Sequence, residues 1–237
     1  MSRLIPRVFV DFDGTITKQD VGNAFFRKFG DEKVSLELVR KWKAGTLSGK
    51  ELLLGEAATV RTSYTEAVRF VESLDIDMTF LTFLDYCRTA GIEITVLSDG
   101  LDFYIERIME KNAIAGLPVY SNRARFVSDR LEVDTPYESD CKWCANCKGF
   151  QILSHSGIDD AIIYIGNGFS DRCAVKYADV VFAKDELLRY CQENNITYQP
   201  FRTFEDILMK FRKMIEAGGI RKRHQAELRR REAYLAE

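Results

Sequence analysis

Only two histidines and four prolines occur among the 237 residues, and charge nearly cancels, with 34 Lys and Arg against 36 Asp and Glu for a formal net charge of −2. So even a balance gives no basis for non-specific nucleic-acid binding. No apolar run approaches the ~18 residues of a membrane-spanning helix, so no membrane partner is expected. Met1–Arg7 is polar and runs straight into an apolar strand, so no secretory signal is expected there. Six cysteines without an export signal point to reduced thiols in the cytoplasm. Neither His155 nor His224 falls where catalysis would use it, and no internal repeat is found. What remains is ordinary: 46% hydrophobic and 30% charged, enough for one large soluble domain or two small ones.

Against that background residues 8–15, Val-Phe-Val-Asp-Phe-Asp-Gly-Thr, stand out. An apolar strand ends in two carboxylates, Asp11 and Asp13, which are costly to desolvate unless a cation, usually a metal, neutralises them. Alternate strand residues point to opposite faces, so the two acids share a site only if the chain curls after Phe12, which Gly14 permits. Alone, Asp-x-Asp-Gly is equally a strand running into an Asp-Gly turn.

Short apolar runs alternate with helical patterns, as in a parallel sheet covered on both faces: an α/β, Rossmann-like doubly wound core. Strands are predicted at Val8–Phe12, Ile92–Leu97, Ala161–Ile165 and Val180–Ala183. Helices are predicted at Met78–Ala90, Leu101–Asn112, Asp171–Tyr177 and Lys184–Asn194. Between Thr17 and Asp77 the periodicity is helical throughout (Val21–Phe29, Lys33–Lys43, Ser48–Val60, Tyr64–Leu74), a roughly 60-residue insert too long for a loop. Placed after the first strand, it would lie over that strand's carboxyl end as a lid. The expected division is a core of residues 1–16 and 78–215, a helical unit of 17–77, and a charged helix or tail of 216–237 broken by Gly218-Gly219. Its Arg221-Lys222-Arg223 run reads as solvated surface. Arg123–Val127 and Arg130–Asp134 flank Ser128-Asp129 as a hairpin, followed by a cysteine-bearing loop. Phe25, Phe26 and Phe29 recur at helical spacing and are expected in the core of the insert, with one of them open to face a ligand.

Three further features fall where predicted strands meet helices. Ser98-Asp99-Gly100 offers a hydroxyl and backbone amides for an anion, although Ser98 alone also reads as a helix cap. Lys148 precedes Gly149 and a helix, where an ammonium could neutralise a phosphate or simply face solvent. In Gly166-Asn167-Gly168-Phe169-Ser170-Asp171 the glycines allow close backbone approach, and Asn167 and Asp171 bring oxygen ligands suited to Mg²⁺. The bland alternative is a glycine turn with Asp171 in a helix's first turn.

Taken together, in the order Asp-x-Asp, Ser, Lys, Gly-Asn-x-x-x-Asp, these features resemble the four motifs of the haloacid dehalogenase (HAD) superfamily from about Val8 to Ala183. The insert looks like that superfamily's first-position cap, as in phosphoserine phosphatase. The resemblance implies a Mg²⁺-dependent phosphatase acting on a small phosphorylated metabolite, as monomer or homodimer. Asp11 would be the nucleophile, forming an aspartyl-phosphate, and Asp13 the general acid and base. Ser98 and Lys148 would hold the phosphoryl oxygens, with Gly14, Thr15, Asp99 and Gly100 around them. Mg²⁺ would sit among the Asp11 carboxylate, the Asp13 carbonyl and Asn167, with Asp171 in support. The family's fourth motif usually begins Gly-Asp; the Gly-Asn here removes one negative charge and implies weaker metal binding.

The helical insert bears on the substrate. A phosphoserine phosphatase carries a cap arginine for the substrate carboxylate; that position falls near Glu56 here, and residues 44–60 contain no arginine. The early cap acid is Asp20 rather than the usual glutamate. Asp11–Thr17, Ser121-Asn122, the cysteine loop before Lys148, and Ala178–Asp185 with the Leu187–Cys191 stretch are similar to methionine-salvage phosphatases, which act on 2-hydroxy-3-keto-5-methylthiopentenyl-1-phosphate. Phosphoserine and phosphoethanolamine or phosphocholine phosphatases are the alternatives. A phosphometabolite sensor, for which Gly-Asn is the only support, and a transferase passing the phosphoryl group to another acceptor are the rivals from other classes.

Cys141-x-x-Cys144-x-x-Cys147 abuts Lys148. Three thiols at this spacing could hold a structural Zn²⁺ with His155 or Asp140 as fourth ligand, be redox-active, or simply pack in a tight loop anchored by Trp143. There is no second Cys-x-x-Cys to complete a familiar zinc motif. Cys87, Cys173 and Cys191 fall on predicted helices and read as core residues.

Overall fold

A computed structural model describes residues 4–137, 139, 141–217 and 220–235. Asp140 and the Gly218-Gly219 break lie outside the described residues. Seven strands form one sheet: β1 (Ile5–Val10), β2 (Glu93–Leu101), β3 (Val119–Val127), β4 (Arg130–Asp134), β5 (Asp160–Gly166), β6 (Val180–Ala183) and β7 (Gln199–Pro200). Their order is β4-β3-β2-β1-β5-β6-β7, every pairing parallel except β3 with β4. From β1 the chain builds outward through β2 and β3, then returns to the other side of β1 as β5. The carboxyl ends of β1 and β5 therefore flank a topological switch point, the crevice where such sheets bind ligands.

Alternation along β1 explains the two covered faces. Val8 and Val10 pack into one buried cluster with Phe83, Ile105 and Phe211, while Phe9 enters the other with Ile152, Val175 and Leu187. Each such buried side chain contributes roughly 1.5–3 kcal/mol. The first face is covered by α5 (Thr79–Thr89), α6 (Asp102–Lys111) and α9 (Phe204–Glu216), and the second by α7 (Lys148–Ser154) and α8 (Asp185–Glu193).

Four helices lie between β1 and α5: α1 (Val21–Phe29), α2 (Glu32–Lys43), α3 (Gly49–Thr59) and α4 (Tyr64–Glu72). Their starts are written locally. Asp31 accepts the amides of Lys33 and Val34, and Ser48 and Ser63 each form a reciprocal box with the glutamate three residues on, satisfying otherwise orphaned N–H groups. Phe25 sits against Phe103 of α6 with centroids 5.3 Å apart, tying this segment to the sheet's helices, while Phe26 reaches the cavity described below.

Three expectations are corrected. β2 runs on to Leu101 through an irregular register around Ser98–Gly100, because Leu101 regains a partner in Asn122. The helix expected over Asp171–Tyr177 is two short tight turns, Phe169–Arg172 and Ala174–Lys176, since the Asp171 carboxylate folds back onto the amides of Asn167 and Gly168. The C-terminal α10 (His224–Leu235) is a helix, largely exposed as expected, but docked on the core through one face. Arg230, 3% exposed, pairs with buried Asp179 at 3.0 Å, and Arg223 of the expected wet run gives its backbone amide to the same carboxylate. Among the described residues no helix is long and apolar enough to cross a membrane.

Candidate active site

β1 delivers Asp11 to the crevice, where it is 4% exposed. Beyond it the chain turns sharply at Gly14, which has φ +72°; a side chain there would meet the Asn167 amide at 2.5 Å. Asp11 and Asp13 both line the same cavity, as a shared site requires. The Lys148 ammonium, wholly buried at the start of α7, lies 2.5 Å from Asp11 Oδ1 and 2.5 Å from Asp171 Oδ1. The Thr15 hydroxyl lies 2.9 Å from Asp11 Oδ2 and 3.0 Å from Asn167 Oδ1, linking the β1 and β5 turns.

Each remaining carboxylate is held by several donors. Asp171 accepts from Lys148, from the Tyr164 hydroxyl and from the amides of Asn167 and Gly168. With those partners it stands behind Lys148 and leaves the cavity wall to Asn167. Asp13 Oδ1 accepts the amides of Val21 and Gly22 at the start of α1, both at 3.1 Å, and its Oδ2 accepts the hydroxyls of Ser98 and Tyr104, both at 3.0 Å.

The phosphate-binding expectation around Ser98 meets a more specific arrangement. Ser98 is buried, gives its hydroxyl to Asp13 and accepts the Gly100 amide. The Asp99 carboxylate turns away to the cysteine loop, where it accepts the amides of Ala145 and Asn146 at 2.7 Å each. A carboxylate would repel phosphate, and two loop amides are the better partners for it.

The charge balance is lopsided. Two carboxylates, those of Asp11 and Asp171, share one ammonium, while that of Asp13 is held by amides and hydroxyls. Burial, then the neighbouring Asp171, pushes the Asp11 carboxyl up to about 8 even against Lys148. Burial, then Asp20, pushes Asp13 up to about 6. Burial alone would lower the Lys148 pKa, but Asp11 and Asp171 outweigh it and hold the ammonium above its ordinary value. A site this short of positive charge, with carboxylate and amide oxygens at its surface, fits a hard divalent cation.

Over these groups lies a cavity of about 390 Å³, bounded on the far side by Phe26, Trp42, Leu52 and Glu56 from α1–α3. Asp20 and Glu186 stand on its wall, and Lys43 reaches Glu186 across it at 2.5 Å. Glu56 accepts the Ser35 hydroxyl, and burial pushes its carboxyl up to about 7.

Sequence reasoning missed Tyr104 and Tyr164, buried phenols that donate to Asp13 and Asp171. It also missed Asn146, whose amide bridges the carbonyls of Ser98 and Tyr120. No motif spacing marks any of the three. His155 stacks on Tyr120 with ring centroids 4.1 Å apart, and the residue that joins the loop cysteines is Cys173.

A family model described as Putative Phosphatase matches residues 7–201. The chain belongs to this family. It is 32% identical over 215 residues to the 2-hydroxy-3-keto-5-methylthiopentenyl-1-phosphate phosphatase of Bacillus cereus strain B4264, covering 89% of this chain and 97% of that one. It is 33% identical over 218 residues to the Bacillus mycoides strain KBAB4 protein of the same name, with the same coverage. Among solved structures, a phospho-aspartyl intermediate analogue of phosphoserine phosphatase superposes with a TM-score of 0.67 at 16% identity, covering 87% of this chain and 99% of that chain. A HAD family hydrolase from Salmonella enterica serovar Typhi superposes at 0.68 with 16% identity, covering 86% and 71%. The fold of this Putative Phosphatase family member is thus that of the HAD phosphatases, as the motif order implied.

Proposed function

We propose that the chain is a Mg²⁺-dependent phosphatase that hydrolyses a small phosphorylated metabolite in the cytoplasm through an aspartyl-phosphate on Asp11. The observation that carries this reading is the Asp11 carboxylate, open to the cavity and backed by the fully buried Lys148. Attack by Asp11 on phosphorus forms the new P–O bond as the ester oxygen leaves with a proton from Asp13. Asp13 then takes a proton from water, whose attack releases phosphate and restores Asp11. Lys148 offsets the charge on the phosphoryl oxygens, and the Ser98 hydroxyl turns from Asp13 toward them. Mg²⁺, held by the Asp11 carboxylate, the Asp13 carbonyl and Asn167, would supply the rest of that neutralisation. Residues 1–16 and 78–215 act as the core, and 17–77 as the cap that keeps bulk water from the intermediate.

The leading substrate is 2-hydroxy-3-keto-5-methylthiopentenyl-1-phosphate, for which the B. cereus relative is named. Phe26, Trp42 and Leu52 give the leaving-group side of the cavity an apolar surface suited to a methylthio chain. Among the described residues on that wall there is no arginine to pair with a phosphoserine carboxylate, and Lys43 is engaged by Glu186. Asp20, Glu56 and Glu186 favour a second reading, an ammonium-bearing ester such as phosphoethanolamine or phosphocholine.

The test is phosphate release with saturating Mg²⁺ across these esters, phosphoserine and sugar phosphates, with Asp11→Asn as control and with added alcohol acceptors. Turnover of the enol phosphate that vanishes in Asp11→Asn supports the leading reading. Preference for an amine ester shifts it to the second, alkyl phosphate products indicate transfer, and no turnover on any ester overturns the phosphatase reading in favour of a sensor.

A further inference from the structure

Cys141, Cys144, Cys147 and Cys173 place their sulfurs within 4.8 Å of one another, three of them buried. Three of these thiols share the loop before α7. The fourth comes from the turn after β5, so the cluster bridges two segments that lie well apart in the sequence. Cys87 and Cys191, by contrast, are buried singly in helices.

The spacing discriminates between a disulfide and a metal. A disulfide needs sulfurs about 2.05 Å apart. Here Cys141 lies 3.4 Å from Cys144 and 3.3 Å from Cys173, and Cys144 lies 3.9 Å from Cys173. Four sulfurs at the Zn–S distance of about 2.3 Å in a tetrahedron stand about 3.8 Å apart edge to edge. The observed separations scatter around that edge. The Trp143 amide also points at Cys141 Sγ from 3.4 Å, an N–H donor of the kind that stabilises a thiolate two residues back. Four thiols packed together without a metal would gain little, because S–H is a weak donor and acceptor.

We propose that these four cysteines bind one structural Zn²⁺ as a tetrathiolate. Binding displaces the four thiol protons to solvent and leaves a Zn(S⁻)₄ centre of net charge −2. Tetrahedral all-sulfur geometry selects zinc over the harder cation expected at Asp11. The two metals therefore occupy separate sites by donor chemistry.

The position of the site gives it a consequence, which rests on the phosphatase reading. Cys147 immediately precedes Lys148, and Cys173 follows Asp171 by two residues. A metal joining them sets the spacing of the two segments whose side chains meet at 2.5 Å. The same loop accepts the Gly49 amide at the Lys142 carbonyl, 3.1 Å, and the Trp42 indole N–H at the Trp143 carbonyl, 2.8 Å. Zinc thus orders the contact between α2–α3 and the core while positioning Lys148, without touching substrate.

The test uses the full chain purified under reductant and without chelator, with zinc measured by elemental analysis. One zinc per chain is expected, retained in Cys87→Ser and Cys191→Ser and lost in Cys144→Ser and Cys173→Ser. If the last two fail to fold, Co²⁺ replacement in the native chain decides the matter: a tetrahedral tetrathiolate gives intense visible ligand-field bands with thiolate-to-cobalt charge transfer. A zinc ratio near zero that excess Zn²⁺ does not raise, with no such cobalt spectrum, overturns the site. Iron in place of zinc in the purified chain, or a disulfide among these four residues in the reduced protein, overturns it equally. None of these readouts depends on turnover, so they stand apart from the outcome of the ester panel.

Discussion

Asp11 and Lys148 stand 137 residues apart in the chain and 2.5 Å apart in space, with Asp171 equally close on the other side of the ammonium. Removing the ammonium leaves two buried carboxylates facing each other. For Lys148→Met, breaking the buried pairs costs about 3–5 kcal/mol of stability, the usual range for an orphaned buried charge. Loss of the phosphoryl contact should lower kcat by about 10²–10³. Thermal unfolding and steady-state kinetics on the folded fraction check both; a kcat within threefold of the native value would remove Lys148 from the phosphoryl site.

Asn167 sits where the family pattern has aspartate, and its carbonyl oxygen shares the Thr15 hydroxyl with Asp11. Asn167→Asp adds a negative charge among oxygens already short of positive charge. Without metal it should push the neighbouring carboxyls further up; with metal it should bind the cation more tightly. The Mg²⁺ concentration for half-maximal activity is expected to fall several-fold. An unchanged requirement would place Asn167 outside the metal's reach.

Tyr104 offers a finer probe of Asp13. Burial and Asp20 raise the Asp13 carboxyl to about 6, while the hydrogen bonds from Gly22, Tyr104 and Ser98 restrain it. Tyr104→Phe removes one restraint, so the Asp13 pKa should rise. The group then deprotonates at a higher pH, and the limb of the kcat/KM profile that it governs moves upward by at most about one pH unit. The phenylalanine keeps the ring packed against Phe12 and Phe103, so the fold should survive. A profile that coincides with the native one would dissociate Tyr104 from the acid–base step.

The four core strands, the hairpin and the four motif positions were legible because each rests on a local signal: an apolar run of strand length, a glycine where the backbone must turn, a polar residue at a strand's end. The two-residue β7 (Gln199–Pro200) carries no such signal and was not expected. The insert helices were legible for the same reason, from their helical periodicity. What escaped was long-range pairing. Tyr104 and Tyr164 read as ordinary apolar positions, and only their approach to Asp13 and Asp171 gives them a role. Cys173 read as a core thiol because its partners lie far earlier in the chain, Cys141 by 32 residues and Cys144 by 29, and are brought near by the passage of the chain through α7 and β5. The α10 segment read as solvated because its many charged and polar residues conceal one buried pair, Arg230 with Asp179.

Glu56 separates the chemistry of the cavity wall from its stability. Its carboxyl is raised from an ordinary 4.5 to about 7, chiefly by burial, with the Ser35 hydroxyl pulling the other way and Asp20 adding to the rise. Below pH 4.5 the group is neutral whether the chain is folded or not, and it costs nothing. Between 4.5 and about 7 the unfolded chain ionises first, so folding loses stability as pH rises; above about 7 both states are ionised and the loss is complete. Gln at this position keeps an acceptor for Ser35 and cannot ionise. Glu56→Gln should therefore match the native protein near pH 4 and exceed it at pH 8 by up to about 3 kcal/mol, since each pH unit separating the folded and unfolded pKa values is worth about 1.4 kcal/mol. Denaturant melts at the two pH values measure the difference. Equal stability at pH 8 would mean that water reaches Glu56 freely, so that the α2–α3 wall is open in solution and contributes no dry surface to the leaving group.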